Sequence, residues 1–172
     1  MKAFKCIIFS SLLLLFINCK TDEKSQDEIF KKVNSFYENK APFYEIKLDT
    51  VLFTQELIHK MKNIRYITEL DKARIKQSNS PTDKPFLLEG SVFSSLPDGY
   101  SKFSIKNITF KENRADVLVE FEYESTPKII WTDKIILENI NGWKIKNIIF
   151  SKSNDKTNLI DRLTYKSTTW VK

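Results

Sequence analysis

The chain has 172 residues and a formal net charge of +6, from 28 lysines and arginines against 22 aspartates and glutamates. These charges are interspersed, whereas a nucleic-acid-binding surface has clustered basic residues, so no nucleic-acid partner is expected. One histidine and two cysteines, without any metal-ligand spacing, provide nothing from which a zinc site could be built. Three glycines are too few for a Gly-rich phosphate loop. We therefore expect neither a metal nor a cofactor.

The N-terminal segment combines two early lysines with a mostly apolar run from Cys6 to Ile17. The run is shorter than the roughly 20 apolar residues that a membrane-crossing helix needs. It stops just before Cys19, after which polar residues follow at once. This arrangement resembles a bacterial lipoprotein signal, in which the cysteine is acylated and becomes the new N-terminus. It predicts a signal peptide over residues 1–18 and an acylated tether over residues 19–27.

Acylation of Cys19 would anchor the protein to a membrane, because several acyl chains together give stable binding. Lys20 stands where an aspartate commonly marks inner-membrane retention in Gram-negative lipoproteins. The resemblance therefore favours the outer membrane and leaves open whether the domain faces the periplasm or the cell surface. The alternative interpretation is an ordinary signal peptide followed by an incidental cysteine.

Two helices are predicted next, each from apolar residues that recur on one face. The first lies within QDEIFKKVNSFYENKAP and ends before Pro42, because the residue before a proline resists the helical conformation. The second begins near Thr54, an N-cap residue, and Glu56 is expected to pair with Lys60 four residues on. His59 lies off the apolar face and is interpreted as solvated and without a role. The apolar faces comprise Ile29, Val33, Phe36 and Tyr37 in the first helix and Leu57, Met61 and Ile64 in the second.

Four β-strands are predicted in the second half of the chain, where apolar and polar residues alternate. Their sequences are KFSIKNITFK, RADVLVEFEYE, KIIWTDKIILE and WKIKNIIF. Short connections, at Glu112–Asn113 and at the hairpin signal Asn141–Gly142, predict consecutive antiparallel strands. The helices must cover the apolar face of this sheet, which cannot remain in water. The predicted fold class is α+β, with N-terminal helices packed on a four-stranded antiparallel meander.

A resemblance to a known family rests on DKPFLLEGSVFSSL, after the helices, and on WTDKIILENINGWKIKNIIF, in the meander. Over residues 28–150 the chain resembles small bacterial envelope lipoproteins with an NTF2-like domain, in the group labelled DUF3828. The most specific parts are the step from Trp131 to Asp133 and the closing strand from Trp143 to Ile148. The resemblance implies a cone, in which a curved sheet wraps round helices and leaves a pocket at its wide end. It implies no particular activity.

Asp133 is the main candidate for a functional side chain. It alternates with apolar residues on the third strand, so it should face inward, as should Asn147 between Ile145 and Ile149 on the closing strand. A desolvated carboxylate in a cleft is a candidate general base. The favoured interpretation is structural, with Asp133 accepting hydrogen bonds from Asn147, a tryptophan or a tyrosine, and no residue is assigned as catalytic. The candidate pocket residues are Phe93, Tyr100, Trp131, Asp133, Trp143 and Asn147.

Two further segments carry predictions. The loop SSLPDG, between Phe93 and Tyr100, is a candidate lid. Residues 151–172 are assigned to a C-terminal extension, in which apolar residues around Leu159 predict a short helix. Trp170 is expected to dock on the domain or on a partner.

Three functions remain open. The leading one is a non-enzymatic envelope lipoprotein that binds a small ligand or an envelope protein through its pocket or its open sheet face. An isomerase or hydratase would use Asp133 as general base and Tyr100 or another tyrosine as acid, but no nucleophile–base–acid constellation supports an enzyme. A partner-specific inhibitor or immunity-type protein would use an exposed charged stripe. That stripe would comprise Glu120, Glu122 and Glu124 opposed by Lys144 and Lys146.

Overall fold

The computed structural model describes residues 23–78, 82–152 and 157–164. The predicted signal peptide and its acylated Cys19 lie outside these residues, as does Trp170. The chain divides into two compact units.

The first unit, Met1–Glu38, contains helix α1, which covers residues 23–38. Residues 23–27, which the sequence assigns to the tether, are therefore already helical. Acidic side chains near the start of a helix stabilise it, and Asp27 forms an ion pair of 2.7 Å with Lys31 one turn later. The predicted apolar face is confirmed, because all four residues are buried: Ile29, Val33, Phe36 and Tyr37.

The second unit, Asn39–Lys172, begins with a loop that leads into helix α2, Gln55–Gln77. Thr54 is the N-cap, as predicted, and its hydroxyl accepts a hydrogen bond of 3.4 Å from the backbone N–H of Leu57. The helix buries one long stripe, which continues beyond the residues predicted for it. The buried residues are Leu57, Ile58, Met61, Ile64, Ile67, Thr68, Asp71 and Ile75.

The sheet of the second unit has four antiparallel strands in the order β1-β2-β3-β4, so the predicted meander is confirmed. The strands are β1 (Lys102–Lys111), β2 (Arg114–Tyr123), β3 (Ile129–Asn139) and β4 (Trp143–Ile149). Two of the hairpins turn through left-handed backbone conformations, with φ of 54° at Glu112, 54° at Asn141 and 105° at Gly142. Helices together with an antiparallel sheet make the fold class α+β.

The inward face of β2 and β3 follows the predicted alternation. On β3 the odd-numbered residues from Trp131 to Leu137 are buried, and Asp133 among them is fully buried. Phe121 on β2 stacks on Trp131, with 5.4 Å between ring centroids and 20° between ring planes. Because neighbouring strands pair these residues directly, the aromatic layer joins β2 to β3.

The predicted face of β4 is wrong beyond Ile145. The pairing with β3 shifts by one residue there, so Leu137 pairs with Ile145 but Ile136 pairs with Asn147. This bulge inserts one extra residue and turns Ile148 inward, where it is fully buried. Asn147 and Ile149 are only partly buried, so they do not occupy the inward positions expected for them.

Both α2 and the C-terminal helix contact β4. Just before α2, Phe53 forms a parallel bridge with Ile145, and the N–H of Thr54 donates to the Ile145 carbonyl at 3.0 Å. The C-terminal helix α3 covers Leu159–Arg162, and its N-cap Asn158 forms an antiparallel bridge with residue 149 of β4. The edge of β4 is thus covered on the side away from β3.

The aromatic layer predicts a large stability effect for Phe121→Ala. Its side chain is fully buried, and truncating a buried phenylalanine costs about 3–5 kcal/mol of the free energy of unfolding. Urea denaturation followed by circular dichroism should show this loss. The control Leu118→Ala removes an exposed side chain of the same strand and should cost less than about 1 kcal/mol. Equal losses in the two variants would contradict this description of the core.

Candidate functional site

Asp133 lies at a junction where three parts of the second unit meet. Its carboxylate accepts hydrogen bonds from the backbone N–H groups of Ser95 at 2.8 Å and Ser151 at 2.9 Å. It also accepts from both serine hydroxyls and, at 3.2 Å, from the indole N–H of Trp131. The four bonds from the two serines join β3 to the loop around Ser95 and to the chain that leaves β4, and the Trp131 bond lies within β3. We call Asp133, Ser95, Ser151 and Arg162 the Asp133 junction.

Arg162 of α3 supplies the cation of this junction. One of its terminal nitrogens donates to the carbonyls of Val92 and Ser94, each at 2.8 Å, and to that of Ser91 at 3.2 Å. Its guanidinium lies over the ring of Phe150, 3.7 Å from the centroid. Burial lowers the pKa of Arg162 to about 10, although the charge of Asp133 acts in the opposite direction. Arg162 therefore stays protonated at neutral pH.

These contacts decide between the two interpretations of Asp133. A carboxylate has roughly four lone-pair sites, and all five of the donors around Asp133 belong to the protein. No acceptor site is left for a substrate proton, and Tyr100 is not among the hydrogen-bond partners. The geometry therefore favours the structural interpretation, with Trp131 as one partner. The predicted partner Asn147 is not one.

The loop SSLPDG is pinned in place, which argues against the predicted lid. The N–H of Ser91 donates to the Pro97 carbonyl at 2.6 Å, and Ser94 and Ser95 are buried. Gly90 has a φ of 71°, and a Cβ at this position would lie 2.5 Å from the Pro97 carbonyl oxygen. The loop is thus closed by its own backbone and fixed to β3 by the Asp133 junction.

The aromatic pocket candidates lie in or beside the core. Trp131 and Trp143 are buried, and Phe93 is 9% exposed with its ring 6.1 Å from that of Phe43. Tyr100 is partly buried, and its ring lies 4.9 Å from the ring of Phe121. The four rings pack on other aromatic side chains, and none of them lines the cleft beside the β4 bulge.

A cleft of about 360 Å³ lies beside the bulge of β4, and we call it the β4 cleft. Asn147, which the bulge displaces from the inward face, is one of its lining residues. The carboxamide oxygen of Asn147 accepts from the N–H groups of Ile148 at 2.9 Å and Ile160 at 3.1 Å, and so attaches α3 to β4. The lining residues are Glu56, Arg114, Ile136, Leu137, Glu138, Lys146, Asn147, Asn158, Ile160 and Asp161.

Of the residues that line the β4 cleft, only Asn147 is predicted from the sequence to line a pocket, and the predicted pocket is a different one, with Asp133. The cleft depends on the bulge and on where α3 docks, and the alternation of β4 indicates neither. One signal was present: an asparagine followed three residues later by an aspartate is typical of a helix N-terminus. Asn158 indeed caps α3 by accepting from the N–H of Asp161 at 3.0 Å.

The charged stripe proposed for a partner also differs from the prediction. Its glutamates, on β2 and just after it, pair with lysines of β1 and of the segment before β3. They do not pair with Lys144 and Lys146, because β2 is not adjacent to β4. The pairs are Glu120 with Lys106 at 2.8 Å, Glu122 with Lys128 at 2.9 Å and Glu124 with Lys102 at 3.2 Å. The stripe is therefore a face of paired surface charges, each pair contributing little to stability.

No protein-family model, curated protein or solved structure matches this chain. Over residues 23–78, 82–152 and 157–164, no helix is long and apolar enough to cross a membrane. In the same ranges, histidine, cysteine, aspartate and glutamate side chains form no group of three or more that could hold a metal ion.

The Asp133 junction predicts that Asp133→Asn destabilises the protein although the two side chains have the same shape. The amide has one acceptor oxygen, and its NH₂ would face N–H and O–H donors that then lose their acceptor. Urea denaturation should show a loss of roughly 3 kcal/mol. Asp98→Asn, in the exposed part of the same loop, should change the stability by less than about 0.5 kcal/mol. An unchanged stability of Asp133→Asn would refute the structural interpretation.

Tyr100 predicts a loss of stability at alkaline pH. Burial raises the pKa of Tyr100 to about 12, whereas tyrosine in an unfolded chain ionises near pH 10. Between these values the unfolded state releases a proton that the folded state retains, so stability present below about pH 10 is lost as the pH rises. The urea midpoint should therefore fall less between about pH 9 and about pH 11 in Tyr100→Phe than in the parent protein. Tyr66→Phe, at an exposed position, should keep the parent slope, and the same slope in Tyr100→Phe would contradict the prediction.

Proposed function

We propose that this protein is a lipid-anchored, non-enzymatic binding protein of the bacterial cell envelope, whose NTF2-like domain binds a small ligand or a protein partner in the β4 cleft. The observation that carries the proposal is the cleft itself. Its volume of about 360 Å³ lies within the range of about 300–1,000 Å³ that is usual for ligand sites. Its lining combines three apolar residues with seven polar or charged ones, which can fix the orientation of a ligand.

The hydrogen bonding of Asp133 supports a binding protein in preference to an isomerase or hydratase. That enzyme needs a carboxylate whose acceptor sites face the substrate, together with an acid such as Tyr100 in the same cavity. Asp133 directs its acceptor sites to protein donors, and neither residue lines the β4 cleft. Binding in the cleft requires no such pair.

The N-terminal sequence supports the location. Two lysines, a short apolar run and Cys19 followed by polar residues fit an acylated anchor, and Lys20 favours the outer membrane. An NTF2-like cone would be consistent with the antiparallel meander. A tethered protein that binds in a cleft of its folded domain would keep its ligand or partner close to the membrane.

The test uses the full-length chain with the photoreactive residue p-benzoylphenylalanine at position 160, in the β4 cleft. Irradiation of the intact cells should give a defined adduct, seen as a new band for a protein or as an added mass for a small ligand. Ile130→p-benzoylphenylalanine is the control, because Ile130 is an exposed residue of β3 that does not line the cleft. No adduct from position 160, or the same adducts from both positions, would overturn binding in the cleft.

The lipid anchor is tested in the same cells, which express the full-length chain. Cys19→Ser should abolish incorporation of an alkyne-labelled palmitate and move the protein out of the membrane fraction, because it removes the acylated thiol. Cys6→Ser, within the predicted signal peptide, should leave both label and location unchanged. If Cys19→Ser keeps its label, the lipoprotein prediction is wrong.

A further inference from the structure

We propose that the β4 cleft binds a cationic group on an apolar stem, an ammonium or guanidinium such as ends a lysine or arginine side chain or a free aliphatic amine. This inference rests on the proposed function, since it names the chemistry of what the cleft binds. Three features of the cleft support this inference: its cations are paired with carboxylates, two of its carboxylates have no cation partner among the described residues, and apolar residues also line it.

The two cations of the cleft already have carboxylate partners. Arg114 donates through Nε to Asp116 at 2.7 Å, and Lys146 donates through Nζ to Glu138 at 3.0 Å. The Asp116 carboxylate is further shared with Lys134 at 3.5 Å. An anionic ligand would have to compete with these carboxylates for the same cations, so the cleft is poorly suited to bind one.

Two of the three carboxylates in the cleft have no such partner in the described part of the chain. The ion pair expected between Glu56 and Lys60 does not form, and within the described ranges no cation lies within 4.0 Å of Glu56 or Asp161. Asp161 accepts a hydrogen bond of 2.6 Å from the amide of Asn158, which leaves its charge uncompensated. The uncompensated charge of the cleft is therefore negative.

The apolar residues of the cleft favour a ligand whose cation is attached to a hydrocarbon stem. Ile136 of β3 and Ile160 of α3, both only partly buried, line the same cleft as these carboxylates, whereas the Leu137 side chain is fully buried in the core. A hydrated metal ion or a bare ammonium ion would leave this apolar surface in water. A cation on a hydrocarbon stem would cover the surface with the stem and bring its charge to the carboxylates, as lysine and arginine side chains do elsewhere.

The first experiment compares three probes that share a four-carbon stem: n-butylammonium chloride, sodium butyrate and 1-butanol. The full-length protein, labelled at isoleucine δ1-methyl groups and held in a non-ionic detergent, is titrated with each at low salt. The methyl resonances of Ile136 and Ile160 report on the cleft, and that of Ile130 is the control outside it. We expect n-butylammonium to shift the first two at least fivefold more strongly than either other probe. Added salt should weaken the effect.

The carboxylates are tested with Glu56→Gln combined with Asp161→Asn, which keep the shapes of both side chains. The double variant should bind n-butylammonium at least fivefold more weakly than the parent. Glu89→Gln, at another exposed glutamate, is the matched control and should bind as the parent does. Thermal unfolding of each variant shows whether the fold is kept, and Glu56→Gln alone provides a second variant if the pair unfolds.

Two further probes identify the source of the cation, and either result supports binding of a cationic group on an apolar stem. Tighter binding of N-acetyl-lysine methylamide than of 1,4-diaminobutane indicates a side chain of a protein partner, and the reverse order indicates a free amine. Equal shifts with butyrate, or unchanged binding in the double variant, would overturn the inference. If no probe shifts Ile136 or Ile160 while position 160 still forms its adduct, the inference fails and the proposed function stands. Neither shift nor adduct would overturn both.

Discussion

The buried carboxylate of Asp133 is the interaction on which the second unit depends. A charge removed from water is costly unless donors replace its hydration, and here two backbone N–H groups, two hydroxyls and an indole do so. Those donors come from segments far apart in the chain, so satisfying Asp133 also fixes the loop of residues 91–99 and the start of the C-terminal segment. Arg162 adds a cation nearby and closes the same loop through its carbonyls. The loop and α3 are thereby both attached to the sheet.

A single extra residue in β4 creates the second important feature. Without the bulge, Asn147 would continue the inward row and Ile148 would face outward. The bulge puts Ile148 in the core and leaves Asn147 beside α3, where its carboxamide holds that helix through two backbone N–H groups. The space between α3, the start of α2 and the neighbouring strands is the β4 cleft. A local irregularity of the sheet therefore determines where this cleft forms.

The Asp133 junction and the β4 cleft differ in how completely their polar groups are satisfied. Around Asp133 the donors and acceptors match within the protein, and nothing remains for a substrate. In the β4 cleft the cations are paired, but no cation within residues 23–78, 82–152 and 157–164 forms an ion pair with Glu56 or Asp161. Such groups cost little free energy while water reaches them, and they gain most from a ligand that brings the opposite charge. Binding is therefore expected where the fold leaves polar groups uncompensated.

The sequence by itself determined what depends on neighbours along the chain. Alternation on β2 and β3 predicted the inward position of Asp133, Thr54 predicted the start of α2, and Asn141 with Gly142 predicted the last hairpin, because backbone geometry sets each of these locally. Only the tertiary structure decided the partners of Asp133, since Ser95 is 38 residues away and Ser151 is 18 residues away. It also decided the bulge in β4, because WKIKNIIF offers apolar residues to the core in either register. The β4 cleft follows from that choice and from the docking of α3, which depend on packing across the whole unit.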